Sequence, residues 1–98
     1  MLFLVMCEAR DTLVGDAVPR LRAEVATAIK RIKGSGKLRN GGVLSGQRRP
    51  FFLLEVDSAA EILELLGGEI IDNMRTEVHP VASLDELGEF FAQHPPKA

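Results

Sequence analysis

The 98-residue chain has no tryptophan, no tyrosine, one cysteine and almost no net charge. Cys7 alone can form neither an internal disulfide framework nor a multi-cysteine zinc site. Twelve lysines and arginines against fourteen aspartates and glutamates leave a net charge of −2. That balance argues against a generic nucleic-acid binder. Long apolar runs are missing too. Leu2–Cys7, the longest early one, falls far short of the roughly 20 residues a membrane helix needs. It has no basic stretch before it and no small-residue cleavage site after it, so it does not read as a signal peptide. The expectation is a soluble, cytoplasmic chain with no membrane association. There is no internal repeat and no low-complexity segment. His79 and His94, the only histidines, lie too far apart in the chain and lack supporting ligands for a metal site. Gly34-Ser35-Gly36 lacks the spacing of a phosphate loop. No metal and no cofactor are therefore expected.

What is present is globular. Apolar residues make up 46% and charged residues 27%, enough for one core and one domain spanning residues 1–98. Leu2–Glu8 reads as a strand, followed by a polar loop. Val18, Leu21, Val25, Ala28, Ile29 and Ile32 recur at helical spacing, with Pro19 near the start and Gly34 and Gly36 at the end. Lys37–Ser45 and Pro50–Val56 read as a hairpin around Gly46-Gln47-Arg48-Arg49, with Pro50 at a strand start where it does least harm. Gly41-Gly42 suggests a bulge, or a close approach to the backbone. Ser58-Ala59-Ala60-Glu61 has the form of a capping box ahead of a short helix with Ile62, Leu63 and Leu66, stopped by Gly67-Gly68. Ile70–Val78 is expected to be the fourth strand. Ser83-Leu84-Asp85-Glu86 is a second capping-box pattern, opening a terminal helix that shows Leu84, Leu87, Phe90 and Phe91.

The order is βαββαβ plus a C-terminal helix. Right-handed crossovers turn that order into an α+β, ferredoxin-like sandwich: two helices on one face of a four-stranded antiparallel sheet. The first and third strands are expected at its centre, and both are apolar on both sides. Leu2, Leu4 and Met6 alternate with Phe3, Val5 and Cys7, and Phe51 and Leu53 alternate with Phe52, Leu54 and Val56. Two helices cover one face only. The other needs a cover. A second copy related by a two-fold axis supplies one; the terminal helix folding back would be the monomeric solution.

The chain resembles the muconolactone isomerase-like group of dimeric α+β barrel proteins. The matching pieces are Met1-Leu2-Phe3-Leu4-Val5, the helix ending before Gly36-Lys37, Gly41-Gly42-Val43, Phe52-Leu53-Leu54-Glu55-Val56-Asp57-Ser58-Ala59-Ala60-Glu61 and Arg75-Thr76-Glu77-Val78-His79-Pro80-Val81. Order and spacing hold to about Val81. The resemblance implies a homodimer whose two sheets enclose a barrel and, in the isomerases themselves, larger rings of dimers. It departs at Leu4, where those enzymes usually carry histidine, and at Gly67–Asn73, where they are rich in proline and aromatics. No catalytic residue carries over by motif.

The candidate chemistry therefore comes from the residues themselves. Alternation on the fourth strand puts Asn73, Arg75, Glu77 and His79 on the barrel side. Glu77 beside His79 forms a candidate proton-transfer pair, because histidine titrates near neutrality and a carboxylate can orient it. Arg75, with Arg39 from the second strand, could hold a substrate carboxylate. The plainer reading is a set of edge-strand charges that block aggregation. Glu8 and Glu55 end the apolar faces of the central strands. Glu55 is the better candidate for a catalytic acid or base, since the resembling proteins tend to be acidic there, and Glu8 is read as solvated. Cys7 is read as a small buried apolar residue. Residues 17–50 hold nine basic groups and one acidic, while residues 51–98 hold two basic and ten acidic. These halves either face one another in the assembly or mark an RNA-binding domain of the same topology. Pro50, Leu53 and Glu55 break the aromatic pattern an RNA-binding sheet needs, so nucleic acid is not the expected partner. The expected function is binding of a small organic ligand, with isomerisation by proton transfer on a lactone or small acid. The alternative is a non-catalytic ligand-binding or assembly module.

Overall fold

The computed structural model describes residues 1–10, 14–44, 46–47 and 49–97. The elements run β1 (Leu2–Ala9), α1 (Ala17–Gly34), β2 (Leu38–Val43), β3 (Pro50–Glu55), α2 (Ala59–Leu66), α3 (Gly68–Asn73), β4 (Met74–Val81) and α4 (Leu84–Gln93). The strands form one antiparallel sheet in the order β2-β3-β1-β4, with β1 and β3 central. This is the ferredoxin-like arrangement.

The period of two decides which face each residue joins. Phe3, Val5 and Cys7 of β1, with Phe52 and Leu54 of β3 and Val56 just beyond it, are buried under the helices. They meet Leu21, Ala28 and Ile32 of α1, Ile62 and Leu66 of α2 and Ile70 of α3 in one core. Each fully buried side chain of this size contributes about 1.5–3 kcal/mol relative to exposure. Among the described residues none that is polar or charged is buried there.

Three local expectations are corrected. Ile70–Asn73 is not strand: α3 occupies Gly68–Asn73, and β4 starts at Met74. The β-branched pair Ile70-Ile71 reads as strand locally, but Ile70 is drawn into the core, where it meets the inner faces of α1 and α2. Asn73 then belongs to the helix end, where its Nδ2 donates to the carbonyl of Glu69 at 2.8 Å. β4 runs on through Pro80, as an edge strand allows. The irregularity in β2 falls between Leu38 and Asn40, so of the two readings of Gly41-Gly42 the bulge fails and the close approach to the backbone holds. Finally, Ser58 is the N-cap of α2 but makes no side-chain capping bond. Glu61, its expected partner, instead places its carboxylate 3.1 Å from Lys37 Nζ. Of the expected β2–β3 turn, Arg48 lies outside the described residues, as does Ser45 before it.

The second capping box does form. Ser83 Oγ accepts from the Glu86 amide at 3.0 Å, and Glu86 Oε1 accepts from the Ser83 amide at 3.3 Å. The helix it starts, α4, buries none of its residues and stands off the other elements. The chain is accordingly elongated, 60 × 27 × 21 Å, with a radius of gyration of 16.4 Å, against about 13 Å for a compact domain of this length. Among the described residues no helix is long and apolar enough to cross a membrane.

Candidate functional site: the outer face of the sheet

The face turned away from the helices carries Leu2, Leu4 and Met6 of β1 and Phe51 and Leu53 of β3, all half-buried. Among the described residues no helix packs against it as α1 and α2 pack on the other face. The glycine pair in β2 is explained here. Gly42 lies opposite Phe51, and a Cβ on it would come within 3.2 Å of the Phe51 ring. A Cβ on Gly41 would come within 3.1 Å of the Phe51 carbonyl oxygen. The bare backbone lets the aromatic ring lie over the edge strand.

Polar residues border this apolar patch along β4. Glu77 is paired with Met6, His79 with Leu4 and Arg75 with Glu8. All six point to the same side, since paired residues in an antiparallel ladder share a face. Glu77 Oε2 lies 3.5 Å from His79 Nε2. Its other oxygen lies 4.0 Å from Arg49, whose Nε is 3.5 Å from Glu8 Oε2. Glu77 is thus shared between a histidine and an arginine, and a short charged chain runs Glu8–Arg49–Glu77–His79. Side chains of Glu77 and His79 are 43% and 57% exposed. In that setting each ion pair contributes at most about 1 kcal/mol of stability, so the cluster is not there to hold the fold.

The other candidates are more scattered. Arg75 is exposed at the edge beside Glu8. Glu55 is bound by the Met1 ammonium at 3.1 Å, at the opposite end of the face from Arg75. Arg39 sits in the β2 irregularity and donates to the Gly36 carbonyl at 3.0 Å. β2 and β4 are the two edges of the sheet, about 14 Å apart at ~4.8 Å per strand. Glu77 and His79 are brought together; Arg39 and Glu55 do not join them. Arg49 and Glu8 do: Glu8 is the carboxylate read from the sequence as solvated at its strand end, and Arg49 is not among the sequence candidates. Arg49 follows the turn, where a basic residue looks solvated. Only the hairpin's return brings it across to β1 and β4.

The opposite side of the sheet holds a cavity of about 470 Å³ between α1 and the strand ends. Ala9, Val18, Leu21, Val25, Ile29, Val43, Pro50 and Met74 give it apolar walls, and Arg10 and Arg22 are its polar groups. None of the outer-face candidates lines it. Cys7 lies deeper on this side. Burial pushes its thiol above the ordinary value, an effect partly countered by the neighbouring Thr76 hydroxyl.

A ferredoxin-like sheet with one helix-covered and one open, apolar, charge-bordered face defines the class of fold. Its particular form is muconolactone isomerase-like. The chain is similar to a crystal structure of muconolactone isomerase, with a TM-score of 0.67 and 19% sequence identity over 85% of this chain and 90% of that one. No family model matches the chain. No curated protein matches it.

Proposed function

We propose that the protein is a homodimeric α+β barrel that binds a small organic ligand on the outer face of its sheet and moves a proton on it. The observation that carries this reading is the Glu77–His79 contact at 3.5 Å, bordering a half-buried apolar face. A second copy laid on that face by a two-fold axis would bury Leu2, Leu4, Met6, Phe51 and Leu53 of both chains. It would also desolvate the polar border and strengthen every charge interaction along it. Helix α4 supports the same assembly. It leaves Leu87, Phe90 and Phe91 44–61% exposed, and a ten-residue helix that buries none of its residues is marginal in water.

In the barrel, the unprotonated imidazole of His79 takes a proton from a carbon acid, and Glu77 stabilises the imidazolium that results. The same group returns the proton at a neighbouring position of the substrate, so that acid and base regenerate. Arg75, two residues along the same face, holds a carboxylate of the substrate. A lactone or small organic acid fits this set. Its muconolactone isomerase-like fold is in keeping with such a substrate.

A second reading is a ligand-binding module without chemistry. It is favoured by the exposure of Glu77 and His79 in the single chain and by the position of the apolar cavity on the opposite face. One experiment separates the two. His79→Ala and Glu77→Gln, tested against a panel of lactones and small dicarboxylates, are expected to abolish isomerisation while binding and fold persist. Turnover unchanged in both variants would remove the pair from the site.

A further inference from the structure

The cavity between α1 and the sheet is not used by the proposed function. It lies where β1 and β2 end and β3 and β4 begin, beneath the N-terminal half of α1. Its volume of about 470 Å³ falls inside the usual range for small-molecule sites, roughly 300–1,000 Å³. Its chemistry is one-sided. Val18, Leu21, Val25 and Ile29 form an apolar wall on one side, with Val43, Pro50, Met74 and Ala9 facing them. Arg10 follows the end of β1 and Arg22 stands in the second turn of α1, so two different elements each bring an arginine to the lining of the cavity. Among the described residues no acidic side chain lines the cavity, and neither arginine is in an ion pair.

Two arginines that make no ion pair among the described residues, lining an otherwise apolar pocket, point to an anion site whose ligand has an apolar body. A guanidinium binds a carboxylate through two parallel hydrogen bonds. Among the described lining residues only Arg10 and Arg22 carry side-chain hydrogen-bonding groups, which favours a ligand with one polar end over dicarboxylates and sugars. We propose that this cavity binds a small monocarboxylate with an aromatic or branched aliphatic body, its carboxylate at Arg10 and Arg22 and its apolar part against Val25, Ile29 and Met74. The site lies on the helix side of the sheet, so it stands or falls independently of Glu77 and His79.

The test uses the full chain with benzoate, phenylacetate and 4-methylpentanoate as probes, followed by methyl NMR and calorimetry. Benzamide is the neutral control. Saturable shifts are expected at the methyls of Val18, Val25, Ile29 and Met74. Benzamide should bind about tenfold more weakly, the loss of one charge-assisted interaction. Arg22→Gln and Arg10→Gln change exposed residues, so both should fold, and each should weaken benzoate by a similar factor. Three results would overturn the proposal: no saturable shift with any of the three acids, equal affinity for benzoate and benzamide, or shifts confined to Leu4, Met6 and Leu53 on the outer face. The last would move the anion to the barrel side without disturbing the barrel reading itself.

Discussion

Leu53 and Leu54 are neighbours on β3 that point to opposite faces, so truncating each to alanine weighs the two faces separately. Leu54 has no exposed surface and sits in the core opposite Phe3. With no solvent access, its loss should leave a cavity and fall at the upper end of the leucine-to-alanine range, about 3–5 kcal/mol. In a domain of this length that lowers the melting temperature by roughly 15–30 °C. The cost should not depend on protein concentration beyond what the wild type shows. Leu53 is half-buried on the open face. In an isolated chain its truncation should cost only about 1 kcal/mol, because most of the side chain's contacts are already incomplete. Covered by a second copy, it should cost about 2–4 kcal/mol per chain, expressed mainly as weaker association. Urea unfolding followed by circular dichroism at about 1 and about 100 µM separates the cases, since a dimer that folds on association gains about 1.4 kcal/mol per tenfold concentration. A wild-type midpoint independent of concentration, together with a Leu53→Ala cost near 1 kcal/mol, would refute the covered face.

Two further outcomes follow from buried or strained positions. The Cys7 thiol is raised above its ordinary 9.0 by burial, so the unfolded chain ionises first as pH rises. Stability should be unaffected by this group below about pH 9 and fall above it, by at most about 1.4 kcal/mol per pH unit, until the raised value is passed. Cys7→Ala should remove that alkaline slope in pH-dependent urea titrations, and an unchanged slope would assign it elsewhere. Gly67 joins α2 to α3 at φ +84°, and a Cβ there would meet the Arg31 guanidinium at 3.0 Å. Gly67→Ala should therefore cost about 1–3 kcal/mol in thermal unfolding, partly by displacing Arg31 from the Leu65 carbonyl it binds at 2.8 Å.

The architecture was legible because β1 and β3 carry their instructions in alternation, and alternation is a local property. Phe3, Val5 and Leu54 are buried where period two puts them, and Glu77 and His79 share the face it assigns. The failures came where a long-range partner outbid a local preference. Ile70-Ile71 has strand composition, yet the core takes Ile70 on a helix. Ser58 and Glu61 have capping-box spacing, yet Lys37 holds the glutamate. Ser83 and Glu86, with no competing partner, do form the box. The site follows the same division. Glu77 and His79 are two residues apart on one strand and could be paired from spacing alone. Arg49 reaches them only through the return of β3 beside β1, and Arg10 and Arg22 come to line one cavity only once α1 packs on the sheet. No local pattern encodes either meeting.

The central claim is that the open sheet face is the contact between two copies of this chain. Sedimentation equilibrium at low micromolar concentration tests it directly. The account predicts a mass of at least twice the 10.7 kDa chain for the wild type, and a shift toward the single-chain mass for Phe51→Asp, which places a charge at the middle of that face. A wild-type chain that sediments at 10.7 kDa across the whole concentration range would contradict it.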